Sequence, residues 1–186
     1  LSGTAFLRKG QFVEGMLEGS KALENGMIEI AGSNKHTFRI PMTINAWVKV
    51  KKETFYGPII TKGDRSWRMQ LSENGMNFHG GYGITEMNEY FNSESRLKKG
   101  MWQMVTLVYS DKLAMMYVDG KFEQRKATEL MHLNSDAPIQ IGGNAEMPER
   151  FFDGLIDEVS IYNRALSKEE ILLLYRRIIK IGRASW

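Results

Sequence analysis

Ten short segments of strand character run through this chain, and turn-forming residues part most of them. They are Met27–Ala31, Thr43–Lys51, Gly57–Thr61, Ser66–Ser72, Met76–Gly80, Trp102–Ser110, Leu113–Asp119, Lys121–Arg125, Ile139–Gly142 and Phe151–Tyr162. Apolar and polar residues alternate in several of them, as in strands with one buried face. Glu73-Asn74-Gly75, Asp111-Lys112 and Asp119-Gly120 supply turns short enough for antiparallel hairpins. The pattern predicts an all-β sandwich or jelly roll. A length of 186 residues suits one domain with a real core, here taken as residues 1–186. One segment breaks the pattern. Ser167 and Glu170 form a capping box, and Ile171, Leu172, Leu174, Tyr175, Ile178 and Ile179 recur at helical spacing toward Gly182. An amphipathic helix is therefore expected over 167–182, packed on or beside the sandwich.

Composition removes several function classes. The chain has no cysteine, which excludes a disulfide scaffold, a zinc-thiolate or iron–sulfur site and a cysteine nucleophile. No apolar run approaches the roughly 18 residues of a membrane span, so no membrane insertion is expected. The chain opens on Leu1 without a signal peptide, and the expectation is a piece of a larger precursor or a processed form. The net charge of +3 is unevenly placed. Residues 164–186 hold six basic and two acidic side chains, which leaves 19 basic against 20 acidic in residues 1–163. A nucleic-acid partner needs a basic face on the main body, and the body lacks the charge for one. The helix has a basic face that is either solvated or a contact for an acidic partner or anionic surface.

The strand faces locate a candidate ligand site. Trp67, Met69 and Leu71 alternate with Arg68 and Gln70; Met76 and Phe78 alternate with Asn77 and His79. A four-residue turn at Ser72–Gly75 would set Gln70 opposite Asn77 and Arg68 opposite His79. The apolar set then faces the core, and Arg68, Gln70, Asn77 and His79 share the other face as cross-strand neighbours. That face is either an ordinary solvated one or a set of donors and acceptors suited to sugar hydroxyls, with loop aromatics such as Tyr82 or Tyr90 beside it. The stretch Tyr82–Lys99 is expected to be a long polar loop, and Gly80-Gly81-Tyr82-Gly83 a strand end and turn. Trp47, on the polar side of its strand, is either a stacking platform or buried. In Trp102–Val108 and Leu113–Val118, Val105 and Leu107 are expected to share a face with Leu113, Met115 and Tyr117, and both faces of this hairpin should be covered. Most of the 12 Met are assigned to packing.

The last strand poses an electrostatic problem. Its alternation puts Asp157 with Leu155, Val159 and Ile161 on an apolar face. An unpaired carboxylate there would cost several kcal/mol. Three answers stay open: a cation such as calcium, which takes oxygen ligands; an arginine or backbone N–H partner; or a strand out of phase.

Residues 152–167, Phe-Asp-Gly-Leu-Ile-Asp-Glu-Val-Ser-Ile-Tyr-Asn-Arg-Ala-Leu-Ser, resemble the closing signature of laminin-G-like jelly-roll domains of the concanavalin A-like superfamily. Ile44-Asn45-Ala46-Trp47-Val48-Lys49, Ile60-Thr61-Lys62-Gly63-Asp64, Gly100-Met101-Trp102, Met116-Tyr117-Val118-Asp119-Gly120 and Ile139-Gln140-Ile141-Gly142-Gly143 match further motifs in family order, over roughly residues 22–175. The resemblance implies a two-sheet antiparallel jelly roll with a short C-terminal helix. Its usual role is a non-catalytic module of a larger extracellular, cell-surface or periplasmic protein, attached to other domains of the parent chain. It also implies a carbohydrate (polysaccharide or glycan) ligand, or alternatively a protein partner met through loops or the basic helix. A structural calcium is implied too, with Asp157 as ligand and Glu24 as a further candidate. The segment Ala22-Leu23-Glu24-Asn25-Gly26 is shorter than the family's and lacks its aromatic residue.

Some relatives hydrolyse glycosides with two carboxylates held across the scissile bond. The E-x-D-x-x-E strand motif of that branch is missing here. His36, His79 and His132 are scattered, and the chain has no G-x-S-x-G and no H-E-x-x-H. A binding module rather than an enzyme is expected.

Overall fold

The computed structural model describes residues 4–17, 19–33, 39–83, 88–127 and 135–183. Among these lie twelve strands and one helix. The strands are β1 (Ala5–Glu14), β2 (Lys21–Ile30), β3 (Met42–Val50), β4 (Pro58–Thr61), β5 (Arg68–Leu71), β6 (Asn77–Gly83), β7 (Asn88–Arg96), β8 (Trp102–Tyr109), β9 (Leu113–Val118), β10 (Lys121–Ala127), β11 (Ile139–Ile141) and β12 (Gly154–Tyr162). The helix is α1 (Lys168–Arg183).

Strand neighbours follow the order β10-β9-β8-β3-β12-β2-β11-β4-β5-β6-β7, with β1 on β2. Strand β2 joins two layers. Its first half pairs with β12 through Leu23 and Glu24, and its second half with β11 through Ile28–Ile30. Between the halves, Asn25 takes a left-handed φ of 42°, and Gly26 packs where a Cβ would fall 2.6 Å from the Lys9 carbonyl oxygen. The chain thus turns from one layer to the other, and the sheet folds over on itself. Ile44, Leu107 and Met116 of one layer meet Ile60, Met69 and Phe78 of the other in one buried cluster. Each such side chain contributes about 2 kcal/mol by burial. The result is the expected two-layer jelly-roll sandwich.

A second cluster lies on the outer face of β3, β8 and β9. Trp47, Met104, Val108 and Tyr117 are covered by Leu166 and by Ile171, Leu174, Tyr175 and Ile178 of α1. Trp47 is buried, stacked on Tyr175 at 5.7 Å and 14°. The helix begins as a reciprocal capping box: Glu170 N–H donates to Ser167 Oγ at 3.2 Å, and Ser167 N–H donates to Glu170 Oε2 at 2.9 Å. It runs one residue past Gly182, to Arg183.

Four expectations are corrected. Strand β1 was not anticipated: it is an edge strand with nearly every side chain exposed, so no alternation marks it. Much of the expected polar loop is strand β7, which ties its polar side chains to β6; Ser93 Oγ accepts from Phe78 N–H at 3.0 Å. The two glycines Gly80 and Gly81 lie inside β6 rather than in a turn. In the β8–β9 hairpin, Val105 faces Val118 and Leu107 faces Met116, so Ala114, Met116 and Val118 enter the inter-sheet core. The faces of β9 are the reverse of those expected, while both faces of the hairpin are covered.

Candidate functional site

Trp67, Met69, Leu71 and Phe78 enter the core, which leaves Arg68, Gln70 and His79 on the outer face of β5 and β6. The hairpin register differs from the expected one by two residues. Gln70 faces His79, Arg68 faces Gly81, and Ser72 N–H bonds the Asn77 carbonyl at 2.8 Å. The turn is displaced by one residue, to 73–76, and Asn74 Oδ1 holds it by accepting from the N–H groups of Met76 and Asn77 and from Ser72 Oγ. An even shift leaves each residue on its face but changes its partners. Gly81 leaves room for the Arg68 side chain; a Cβ there would sit 2.7 Å from the guanidinium carbon.

Asn77 stands apart from this group. Its Nδ2 donates to the carbonyls of Ser93 and Ser95, and its Oδ1 accepts from Asn74. It closes the hairpin onto β7. The Tyr82 side chain lies outside the described residues, as do His36 and His132.

Residues from three further segments complete the site. The Tyr56 ring meets His79 edge-on at 5.8 Å, and the Tyr90 ring lies parallel to His79 at 5.2 Å. The Arg150 guanidinium sits 4.8 Å above Tyr56 and pairs with Asp64 Oδ2 at 3.1 Å. Arg68 Nη1 donates to the Asp64 carbonyl at 2.7 Å. Of these, only Tyr90 was singled out from sequence. Tyr56 and Arg150 come from loops, where no periodicity reports direction. Tyr56 holds a φ of 50°, a costly conformation for a residue with a Cβ.

Two atoms in the group are unusual. Gln70 is 1% exposed and His79 2%, and both Gln70 Oε1 and His79 Nε2 are buried without a hydrogen-bond partner among the described residues. His79 Nδ1 lies 2.9 Å from Asn92 Oδ1, so this nitrogen carries the proton and Nε2 is a bare acceptor. Burial, aided by the charges of Arg68 and Arg150, pulls His79 down to about 4, which keeps the ring neutral at pH 7. Burial pushes the Tyr56 phenol up, so it remains an O–H donor. The strand pairing thus sets the two residues that carry these acceptors opposite each other. A buried acceptor left unpaired costs about 1–3 kcal/mol. The matching chemistry is a pair of neighbouring O–H donors delivered between aromatic rings.

The two carboxylates expected to bind calcium are differently engaged. Strand β12 carries a bulge between Asp157 and Ser160, with Glu158 at a φ of 48°. The phase slips there: Ile156 faces the inter-sheet core before the bulge, and Val159 and Ile161 after it. Asp157 therefore points to the outer side, opposite the expected one, under the turn that joins β1 to β2. Its Oδ2 accepts from Met16 N–H and Ser20 Oγ, each at 2.8 Å, and its Oδ1 accepts from Glu158 N–H at 2.8 Å. Of the three answers to the buried charge, backbone N–H donors and a phase slip are both present. Gly15 is what lets the turn close, since a Cβ there would lie 2.3 Å from Asp157 Oδ2. Glu24 is bound by the Lys51 ammonium and by Gln11 Nε2 at 2.7 Å, which hold it below the usual carboxylate range. Among the described residues no three acidic or histidine side chains gather as a metal site. Each of the two carboxylates is thus held by its own protein donors.

The family model described as the Concanavalin A-like lectin/glucanases superfamily, of laminin G type, matches residues 24–172. No curated protein matches the chain. Among solved structures, the chain resembles the binding domain of Paraclostridial Mosquitocidal Protein 1, with a TM-score of 0.73, 19% identity, and coverage of 94% of this chain and 47% of that one. It also resembles domain 4 of AbnA, a GH43 extracellular arabinanase from Geobacillus stearothermophilus solved with arabinotriose, with a TM-score of 0.71, 19% identity, and coverage of 93% and 87%. A third is the receptor binding domain of botulinum neurotoxin D, with a TM-score of 0.70, 15% identity, and coverage of 96% and 49%. The chain spans about half the length of the two toxin domains. Two of the three are named as binding domains and the other was solved with arabinotriose; their likeness to this chain is one of fold. The chain belongs to the laminin-G-type family of the Concanavalin A-like lectin/glucanases superfamily.

Proposed function

We propose that this chain is a non-catalytic carbohydrate-binding module of an extracellular or surface protein. The site is the outer face of β5 and β6 with Tyr56, Tyr90 and Arg150. One observation carries the reading: Gln70 Oε1 and His79 Nε2, buried on paired residues, both accept and neither has a donor among the described residues. Two neighbouring sugar hydroxyls supply the missing donors, Arg150 and the Tyr56 hydroxyl offer donors to the sugar's own oxygens, and the rings stack on its C–H face. Tyr90, 55% exposed, covers His79 and turns aside to admit the ligand. Support comes from the fold shared with an arabinanase domain solved with arabinotriose. The absence of an arranged carboxylate pair in this group favours binding without hydrolysis.

The test is a panel of soluble polysaccharides (arabinan, xylan, β-glucan, fructan) and animal glycans titrated against the chain and against Tyr90→Ala. Tyr90 is exposed enough to be removed without unfolding. At least one glycan is expected to bind, and the variant to weaken it about tenfold. No binding at millimolar glycan, or equal binding by the variant, contradicts the reading.

A further inference from the structure

A second concave surface adjoins this site. Beside Tyr56 a cleft of about 410 Å³ lies between the loop after β3 and the loop before β12, lined by Lys52, Thr54, Phe55, Arg150, Phe151 and Asp153 among others. Phe55 is 66% exposed and Phe151 51%, although each carries enough apolar area to favour burial. Neither ring is collapsed into the core. Phe55 stands edge-on to Tyr56 at 4.5 Å, and Lys9 sits over Phe151 at 5.4 Å, so both are braced in the open position. Thr54 Oγ1 is buried without a partner among the described residues. The remaining lining mixes both charge signs, with Lys52 and Arg150 against Glu53, Glu149 and Asp153. Neither sign of charge dominates this lining.

The cleft is continuous with the site already described. Arg150 lines the cleft and also lies over Tyr56. The rings Phe55, Tyr56, His79 and Tyr90 follow one another with centroids 4.5, 5.8 and 5.2 Å apart. We infer that the ligand is an extended run of a polysaccharide chain, held at Gln70 and His79 and continuing past Tyr56 into the Phe55–Phe151 cleft. This rests on the glycan reading above and adds that the module senses chain length. A single terminal sugar would fill the first place and leave the cleft empty.

The experiment is calorimetric titration with linear oligosaccharides, dimer to hexamer, of arabinan, xylan, β-glucan and fructan. In the series that binds, affinity is expected to rise about tenfold between the shortest binding oligomer and the hexamer. Phe55→Ala and Phe151→Ala should abolish that rise while leaving the shortest oligomer's affinity within about twofold of the native value. Both rings are exposed, so melting curves should match those of the native chain. Affinity independent of length, or a rise that survives both substitutions, overturns the inference and leaves the glycan reading intact. Failure of every series overturns the inference, and the glycan reading falls with it when the animal glycans also fail to bind.

Discussion

Of the polar groups buried among the described residues, two clusters are built on opposite principles. Under the β1–β2 turn, Asp157 holds three donors, and every bond is internal. On β5 and β6, Gln70 and His79 keep one acceptor each without a donor among the described residues. The first arrangement contributes stability. The second gives up stability and, on the function proposed above, keeps its hydrogen-bonding capacity for a ligand. Burial and charge alone do not separate a structural polar group from a site; the balance of donors and acceptors does.

The comparison breaks most visibly at Asp157. Asp157→Ala leaves the N–H groups of Met16 and Glu158 and the Ser20 hydroxyl unpaired, and should cost about 3 kcal/mol in denaturant unfolding. Glycan affinity of the folded fraction should be unchanged, and a loss of affinity at equal stability would invert the assignment of the two clusters.

A comparable effect is expected from pH at the other cluster. His79 titrates near 6.5 when unfolded and at about 4 when folded, so the unfolded chain binds the extra proton between those values. Stability is therefore full above pH 6.5, declines as pH falls toward 4, and loses about 3 kcal/mol from this group. His79→Leu should flatten that part of the profile. An identical pH dependence in the variant would show that His79 is not the titrating group.

The smallest effect sharpens the contrast on the other side. With Asp157 and Glu24 both engaged by protein donors, chelator should leave the melting temperature unchanged. A melting temperature that falls with chelator, and is restored by calcium, would return an ion to Asp157.

Much of this was legible in the sequence. The run ending in Asn163-Arg164-Ala165-Leu166-Ser167 points to the family, and alternation assigns Trp67, Met69, Leu71 and Phe78 to the core. Side-chain period also places Arg68, Gln70 and His79 on one outer face, because an even change of register cannot move them. What depends on an odd count was not legible. The bulge at Glu158 reverses the phase of β12, and the β8–β9 turn reverses that of β9. Tyr56 and Arg150 lie in loops, and their approach to His79 and to each other is fixed by tertiary closure rather than by spacing.

The account rests on the unpaired acceptors, and Gln70→Leu tests them directly. Leucine is close in size and removes the orphan oxygen without opening a cavity. Titrated with the glycan that the native chain binds, the variant should lose at least about tenfold in affinity while melting at the same or a higher temperature. Unchanged affinity in a stably folded Gln70→Leu chain would contradict the account.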